Sequence, residues 1–273
     1  MNRSREFYLS AEDFARLVEA ARRLAGVSLS QDKGDLVYAR LVRRVRQLGL
    51  SSFSKYCELV SQPGHPETEY FVDALTTHVT SFFREEHHFQ FAERDVWPAL
   101  KGKTTPRVWS AGCSTGQEPY SLAISLTEAL GCTSCFQVRA TDISALAVET
   151  AQRGVYPREA LQRVPLGLRR RYFQRGAGKQ AGFHRIKPSL REHVDFAVES
   201  LMSFPTAGAP FDLIMCRNVL IYFKKEIAEQ ICQRFVQRLT KGGYLVLGHS
   251  EGGLKLPRVL EQVGPTCYVR THR

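Results

Sequence analysis

Over the first third of the chain apolar residues recur at three- and four-residue steps, as Phe14, Leu17, Val18 and Ala21 and then as Leu36, Leu41, Val45 and Leu48. That spacing lines one face of an α-helix. Ser10 precedes Ala11-Glu12-Asp13, an N-cap with acids in the first turn, while Gly26 and Gly49 stand where helices should stop. Pro63-Gly64-His65-Pro66 marks a further break. Residues 1–91 therefore read as an all-α domain of several short helices, joined by a linker over residues 92–106.

After Pro106 the period changes. Strands are expected at Arg107 to Ala111, Phe136 to Thr141, Phe211 to Cys216 and Gly243 to Gly248, with helices at Glu118 to Leu130, Ser144 to Gln152 and Lys225 to Leu239. Strands alternating with helices imply an α/β domain over residues 107–273 whose mostly parallel sheet is covered on both faces. Between about residues 169 and 196 short apolar segments are interrupted by Gly176, Gly178 and Gly182. This suggests a small antiparallel β-subdomain inserted in the α/β domain.

Composition narrows the setting. A chain of 273 residues with 43% hydrophobic content can bury a substantial core. No run approaches the roughly 18 to 20 apolar residues of a membrane span, and the charged start has no apolar segment behind it, so a cytoplasmic protein is expected, without direct membrane insertion. The seven cysteines form no disulfide framework and read as reduced thiols; Cys132-Thr133-Ser134-Cys135 lacks the second ligand pair that zinc would need. His87-His88 likewise has no further ligands at metal spacing and reads as an exposed pair, so no metal is expected. A net charge of +11 favours an acidic partner, whether nucleic acid, an anionic membrane surface or an acidic protein.

The candidate chemistry lies between the first strand and its helix, in Ala111-Gly112-Cys113-Ser114-Thr115-Gly116-Gln117-Glu118. In open α/β sheets a glycine turn at this place lets the backbone approach a ligand beyond the strand ends. The two glycines are four apart, unlike the G-x-G-x-x-G of dinucleotide folds, and no Gly-Lys-Ser/Thr of a P-loop follows. Asp142, ending the next strand, can grip a ribose diol, and Glu118 suits a cationic group such as a methionine ammonium better than a phosphate. Both acids also have structural readings, as a first-turn helix acid and as an N-cap, and these are compatible with ligand binding.

Four segments then resemble the CheR-type chemotaxis receptor methyltransferases: Thr80-Ser81-Phe82-Phe83-Arg84-Glu85, Trp109 to Ser121 around the glycine loop, Ala140-Thr141-Asp142-Ile143, and Cys216-Arg217-Asn218-Val219-Leu220-Ile221-Tyr222-Phe223. Gly248-His249-Ser250-Glu251 is similar to the family as well. The resemblance implies a helical N-terminal domain and a Rossmann-like class I methyltransferase domain carrying a small β-subdomain. It further implies methyl transfer from S-adenosylmethionine to receptor glutamates, leaving S-adenosylhomocysteine, for sensory adaptation.

Carried onto this chain, cofactor contacts would come from His78, Thr80, Arg84, Ala111, Gly112, Gly116, Glu118, Asp142, Ser200, Leu201, Arg217 and Asn218. His78 stands where the family commonly has asparagine. Arg84 and Tyr222 would face the transferred methyl, Arg84 orienting a carboxylate with its planar fork unless an ion pair with Glu85 or Glu86 occupies it. The implied substrate is the acidic cytoplasmic domain of chemotaxis receptors at membrane arrays, and Arg40, Arg43, Arg44 and Arg46 are the candidate residues for recognising it, against the alternative of a solvated helix face. A receptor C-terminal peptide could add as a strand to the β-subdomain at about residues 172–188. No motif for a target base or a single-strand platform is present, so no nucleic acid partner is expected, and nothing demands more than a monomer. A methyltransferase for another substrate and an inactive cofactor-binding sensor are the alternatives.

Overall fold

The computed structural model describes residues 6–132 and 135–272, and the chain divides into two compact units. The first, within residues 1–77 and joined by Tyr222–Lys224, is built from helices among its described residues. Its helices span Ala11–Ala25, Gly34–Gln47, Phe53–Ser61 and Glu67–Leu75. Ser10 caps the first as expected, its Oγ accepting the Asp13 N–H at 3.0 Å, and Gly26 ends it at φ +71°. Leu17, Leu41, Val45, Tyr56 and Phe71 fill the core. In the second helix Val37, not Leu36, turns inward, and Leu36 and Leu48 remain largely exposed.

Among its described residues the second unit holds ten strands: β1 Arg107–Ala111, β2 Gln137–Asp142, β3 Val155–Pro157, β4 Phe173–Arg175, β5 Phe183–Ile186, β6 Val194–Val198, β7 Phe211–Cys216, β8 Leu239–Leu247, β9 Leu260–Gly264 and β10 Cys267–Arg270. Seven form one sheet in the order β6-β2-β1-β7-β8-β10-β9. The first five of these are parallel, and β9 and β10 close the edge antiparallel. Every residue of β7 is buried, which explains its mostly apolar sequence, and the one acid in it, Asp212, is paired with Lys103 and the Arg107 N–H. Trp109 on β1 packs against Phe204, Phe211 and Phe235 beneath the sheet.

The structure moves the predicted boundaries of the units, the linker and the β-subdomain. The division between units falls between Thr77 and His78, not at residue 91. Residues 92–106 are no linker, because Glu86–Leu100 is a helical run with one π-helical turn whose Phe89, Val96, Trp97 and Leu100 join the core of the sheet domain. The β-subdomain, of order β3-β5-β4, begins earlier than expected, at Val155, and ends at Ile186. The segment after it, β6, is an edge strand of the main sheet. Cys132 and Cys135 lie side by side, and the other five cysteines are free and buried.

Candidate active site

Strand order reverses between β1 and β7, since β2 and β6 extend the sheet to one side of β1 and β7 and β8 to the other. Ligands of open α/β sheets sit beyond the strand ends at such a reversal. The loops that follow β1, β2, β6 and β7 there are Gly112–Gly116, Ile143–Ser144, Glu199–Ser203 and Arg217–Val219.

The glycine loop is held from below. Gly112 and Cys113 both donate their N–H to the Thr141 carbonyl, at 2.8 and 2.9 Å. Gly112 and Gly116 have φ of +88° and +94°. A methyl on Gly112 would meet Val219 at 2.4 Å, and one on Gly116 would meet Ala151 at 2.7 Å and the Tyr156 hydroxyl at 2.8 Å. These glycines thus let neighbouring loops close on one another, which fixes the cradle as a rigid piece.

Asp142 accepts the Ser114 N–H on Oδ2 at 2.8 Å and the Ser144 N–H on Oδ1 at 2.9 Å. Each carboxylate oxygen keeps a second lone pair, the arrangement a vicinal diol requires. Burial pushes the Asp142 carboxyl above its ordinary pKa, opposed first by these two N–H groups and then by the electrostatic influence of nearby His78. His78 is therefore near this carboxylate. The Ser200–Leu201 turn lies alongside, because the Glu199 N–H donates to the Asp142 carbonyl at 2.9 Å.

Glu118 is 8% exposed and already partnered. Its Oε1 accepts from Ser110 Oγ at 2.7 Å and its Oε2 from Arg217 Nε at 2.8 Å. A ligand ammonium at Glu118 would share it with this guanidinium. Arg217, with its side chain 2% exposed, also donates Nη1 to the Arg84 carbonyl at 2.6 Å and to His88 Nδ1 at 3.1 Å. It is a cross-link between the end of β7, the helix after the glycine loop and the segment bearing Arg84.

Arg84 bonds only the Val79 carbonyl, at 2.7 Å, among the described residues, so the ion pair with Glu85 or Glu86 does not form and the rest of its fork is available. Thr80 lies half-buried on the same segment. Tyr222 groups by its contacts with the helical unit, where its carbonyl accepts the Ser28 N–H at 2.8 Å.

Three further acids and bases support this region, His88, Glu85 and Glu251. His88 is fully buried, contrary to the exposed pair expected for His87-His88. Arginine can only donate, so His88 Nδ1 accepts and Nε2–H donates to Thr266 Oγ1 at 3.0 Å. Burial, then the Arg217 charge, push its pKa down to about 3, so the imidazole is neutral. Glu85 accepts from Asn218 Nδ2 at 3.0 Å. Glu251, in the Gly248-His249-Ser250-Glu251 segment, accepts four backbone N–H groups from Asn218, Val219, Leu220 and Gly248. Glu85, His87 and His88 bring possible metal ligands within 4.8 Å of one another. A cation there would face Arg217 directly, and both His88 nitrogens are taken.

Two buried polar atoms on these loops have no hydrogen-bond partner among the described residues, Ser114 Oγ and Asn218 Oδ1. Such atoms are costly unless something pairs them. With the glycine cradle and the open lone pairs of Asp142, they fit a bound nucleoside with hydroxyl and amino donors. This fold and this site define an S-adenosylmethionine-dependent methyltransferase.

Comparison with known proteins gives the family. The CheR methyltransferase SAM binding domain matches residues 78–269, and the CheR methyltransferase all-alpha domain matches residues 12–76. The chain belongs to the CheR methyltransferase family. It is similar to chemotaxis protein methyltransferase 2 of Pseudomonas aeruginosa, with 41% identity over 268 residues covering 97% of this chain and 95% of that protein. It is also similar to the chemotaxis protein methyltransferases of Escherichia coli (40% identity, 95% and 91% covered) and Salmonella typhimurium (40%, 95% and 90%).

The four arginines of the helical unit have uneven freedom. Arg40 donates Nη1 to the carbonyls of Ala74, Leu75 and Thr76, closing the end of a helix. Arg44 clasps Glu67, which is 2% exposed, through Nε and Nη2, and Glu67 also accepts the Tyr56 hydroxyl at 2.9 Å. Arg46 pairs with Glu6 at the surface. Only Arg43 is exposed with no partner among the described residues. Nor is this unit the seat of the charge: residues 1–77 hold eleven Lys/Arg against ten Asp/Glu. Residues 153–191 hold eleven Lys/Arg and the single acid Glu159, a net of ten positive charges in a chain whose total is +11.

Proposed function

We propose that this protein methylates glutamate side chains of chemotaxis receptors in the cytoplasm, using S-adenosylmethionine, to adapt their signalling. The observation that carries the reading is near-complete coverage by chemotaxis protein methyltransferases, supported by the glycine loop held to Asp142 and by Arg84 with its fork largely unpaired. When bound, the cofactor supplies a methyl group on a sulfonium. A glutamate acceptor is ionised near neutral pH, so its oxygen can displace the sulfur directly: the O–C bond forms, the C–S bond breaks and its electron pair stays on sulfur. No proton moves, and no general base is needed. Positioning then dominates. Arg84, with most of its fork unpaired and its backbone pinned by Arg217, is suited to aligning a carboxylate.

Charge supports a division of labour in receptor recognition. Within the helical unit Arg43 and Arg46 keep guanidinium groups at the surface, whereas Arg40 and Arg44 are used internally. On the β-subdomain Arg158, Arg163, Arg170, Arg175, Lys179 and Arg185 are all exposed without a carboxylate partner among the described residues. We assign the main electrostatic attraction for acidic receptor segments to this subdomain. Its centre strand is β5, leaving the backbone of β4 and of β3 open for an added strand. Val155, Phe183, Arg175 and Arg185 border a cavity of about 570 Å³ on it that can take side chains of such a segment.

The test incubates the full chain with labelled S-adenosylmethionine and receptor cytoplasmic fragments. Base-labile label on glutamate supports the reading; base-stable label, label entering nucleic acid alone, or cofactor binding without transfer would overturn it.

A further inference from the structure

We propose that Glu251 is a positioning residue for the cofactor: its buried carboxylate gathers the loop after β7 into the shape that presents Asn218. The proposal rests on the assignment of Asn218 to the cofactor site.

The geometry is specific. Glu251 is 3% exposed, and its four N–H partners come from two loops. Oε2 takes Asn218 N–H at 3.0 Å and Gly248 N–H at 2.5 Å, while Oε1 takes Val219 N–H at 2.8 Å and Leu220 N–H at 2.7 Å. Three consecutive amides cannot converge on one carboxylate in an extended chain. The turn they make needs Asn218 at φ +59°, the left-handed region that asparagine tolerates better than most residues. In that conformation Nδ2 is directed to Glu85 Oε1, and the buried Oδ1 is left without a donor. An acceptor held buried and unpaired suits an N–H or O–H of the bound cofactor.

Gly248 completes the clamp. Its φ of −71° suits any residue. A methyl there would nevertheless lie 2.7 Å from Asn218 N, 2.7 Å from Glu251 Oε2 and 2.8 Å from Asn218 Nδ2. Alanine would therefore displace the same atoms without touching the carboxylate's charge.

Three variants test the proposal. In Glu251→Gln one oxygen becomes an NH2 donor facing two backbone donors, so at least two of the four bonds are lost. Calorimetry with S-adenosylhomocysteine should show roughly tenfold to hundredfold weaker binding, on the scale of hydrogen bonds to a charged group. Gly248→Ala should weaken it in the same direction. Hydrogen exchange on the cofactor-free protein should show slow amides at residues 218–220 that become fast in Glu251→Gln while the β1 and β7 amides stay protected. On an Asn218→Ala background, Glu251→Gln should cost little more, since the group it positions is gone. Full additivity of the two, or unchanged affinity in both Glu251→Gln and Gly248→Ala, would overturn the proposal. If Glu251→Gln does not fold, Gly248→Ala and the exchange of the parent protein decide it. Unaltered affinity in Asn218→Ala alone would instead sink the underlying assignment of Asn218.

Discussion

Replacing Asp142 by alanine should weaken S-adenosylhomocysteine binding about 10- to 150-fold. Each carboxylate oxygen is fixed by one backbone N–H, from Ser114 at 2.8 Å and from Ser144 at 2.9 Å, and each retains one acceptor position for a ribose hydroxyl. A hydrogen bond to a charged group contributes about 1.5–3 kcal/mol. Water takes part of the place of the missing carboxylate, so the net loss is set near one such bond, which the tenfold-per-1.4 kcal/mol relation converts to the range stated. Asp142→Asn should not rescue binding, because its amide NH2 must face either the Ser114 or the Ser144 N–H. Burial raises the Asp142 pKa, and the diol is held best by the ionised form. The parent's affinity should therefore fall as pH is lowered through that raised value, and the alanine variant should lose this dependence. For stability the sign is opposite: a carboxyl with a raised folded pKa favours the fold below its unfolded pKa, and that contribution disappears as pH rises through the raised value. Affinity is accordingly read by calorimetry and stability by thermal unfolding, separately. Unchanged affinity in a variant that melts like the parent would show that the ribose is not held here.

Other expectations concern the supports of the site and its charge. Glu67→Ala should destabilise the protein by about 3–5 kcal/mol in urea unfolding, because it leaves Arg44 and the buried Tyr56 hydroxyl unpaired; a loss below about 1 kcal/mol would show that water replaces the carboxylate. The melting temperature should decline between pH 6.5 and about 3, since the unfolded chain protonates His88 at its ordinary value of 6.5 while the buried ring resists until about 3. His88→Gln should flatten that part of the profile, and an unaltered slope would assign the decline elsewhere. Charge reversal at Arg175 and Arg185 should slow receptor methylation in low salt more than reversal at Arg43, with cofactor affinity untouched in both. Equal rates for all three proteins would remove the steering role of the β-subdomain.

Elements with a strong local signal were legible in the chain itself. β1 and β7 lie where the short strand-like segments Arg107 to Ala111 and Phe211 to Cys216 predict them, and Ser10 and Gly26 bound the first helix through side-chain and backbone rules that act over four residues. The linker at 92–106 failed because Lys101 to Pro106 resembles one, while the preceding residues form a helix whose apolar face, Val96, Trp97 and Leu100, is buried on the sheet domain. The start of the β-subdomain failed for a different reason. Val155–Pro157 is three residues long and is a strand only because it pairs with β5. The pairing of Arg44 with Glu67 and of Arg46 with Glu6 joins residues 23 and 40 apart in the chain, which no local pattern shows.

The site was legible in its residue types and hidden in its support. Five residues other than glycine have positive φ among those described: Phe83, Glu85, Ser114, Asn218 and Thr266. All five touch the machinery beyond the strand ends. Phe83 donates its N–H to Ser121 Oγ, Ser114 to Asp142 and Asn218 to Glu251, while Glu85 accepts from Asn218 and Thr266 meets His88. Such conformations cost of order 1 kcal/mol or more each and persist only where tertiary contacts impose them. The partners here lie between 28 and 178 residues apart in the chain, beyond the reach of any local pattern. These contacts are complete in the protein alone, so the cost of shaping the loops is met during folding rather than when the cofactor binds. Binding energy can then go to alignment of the methyl group, which is what a displacement without proton transfer requires.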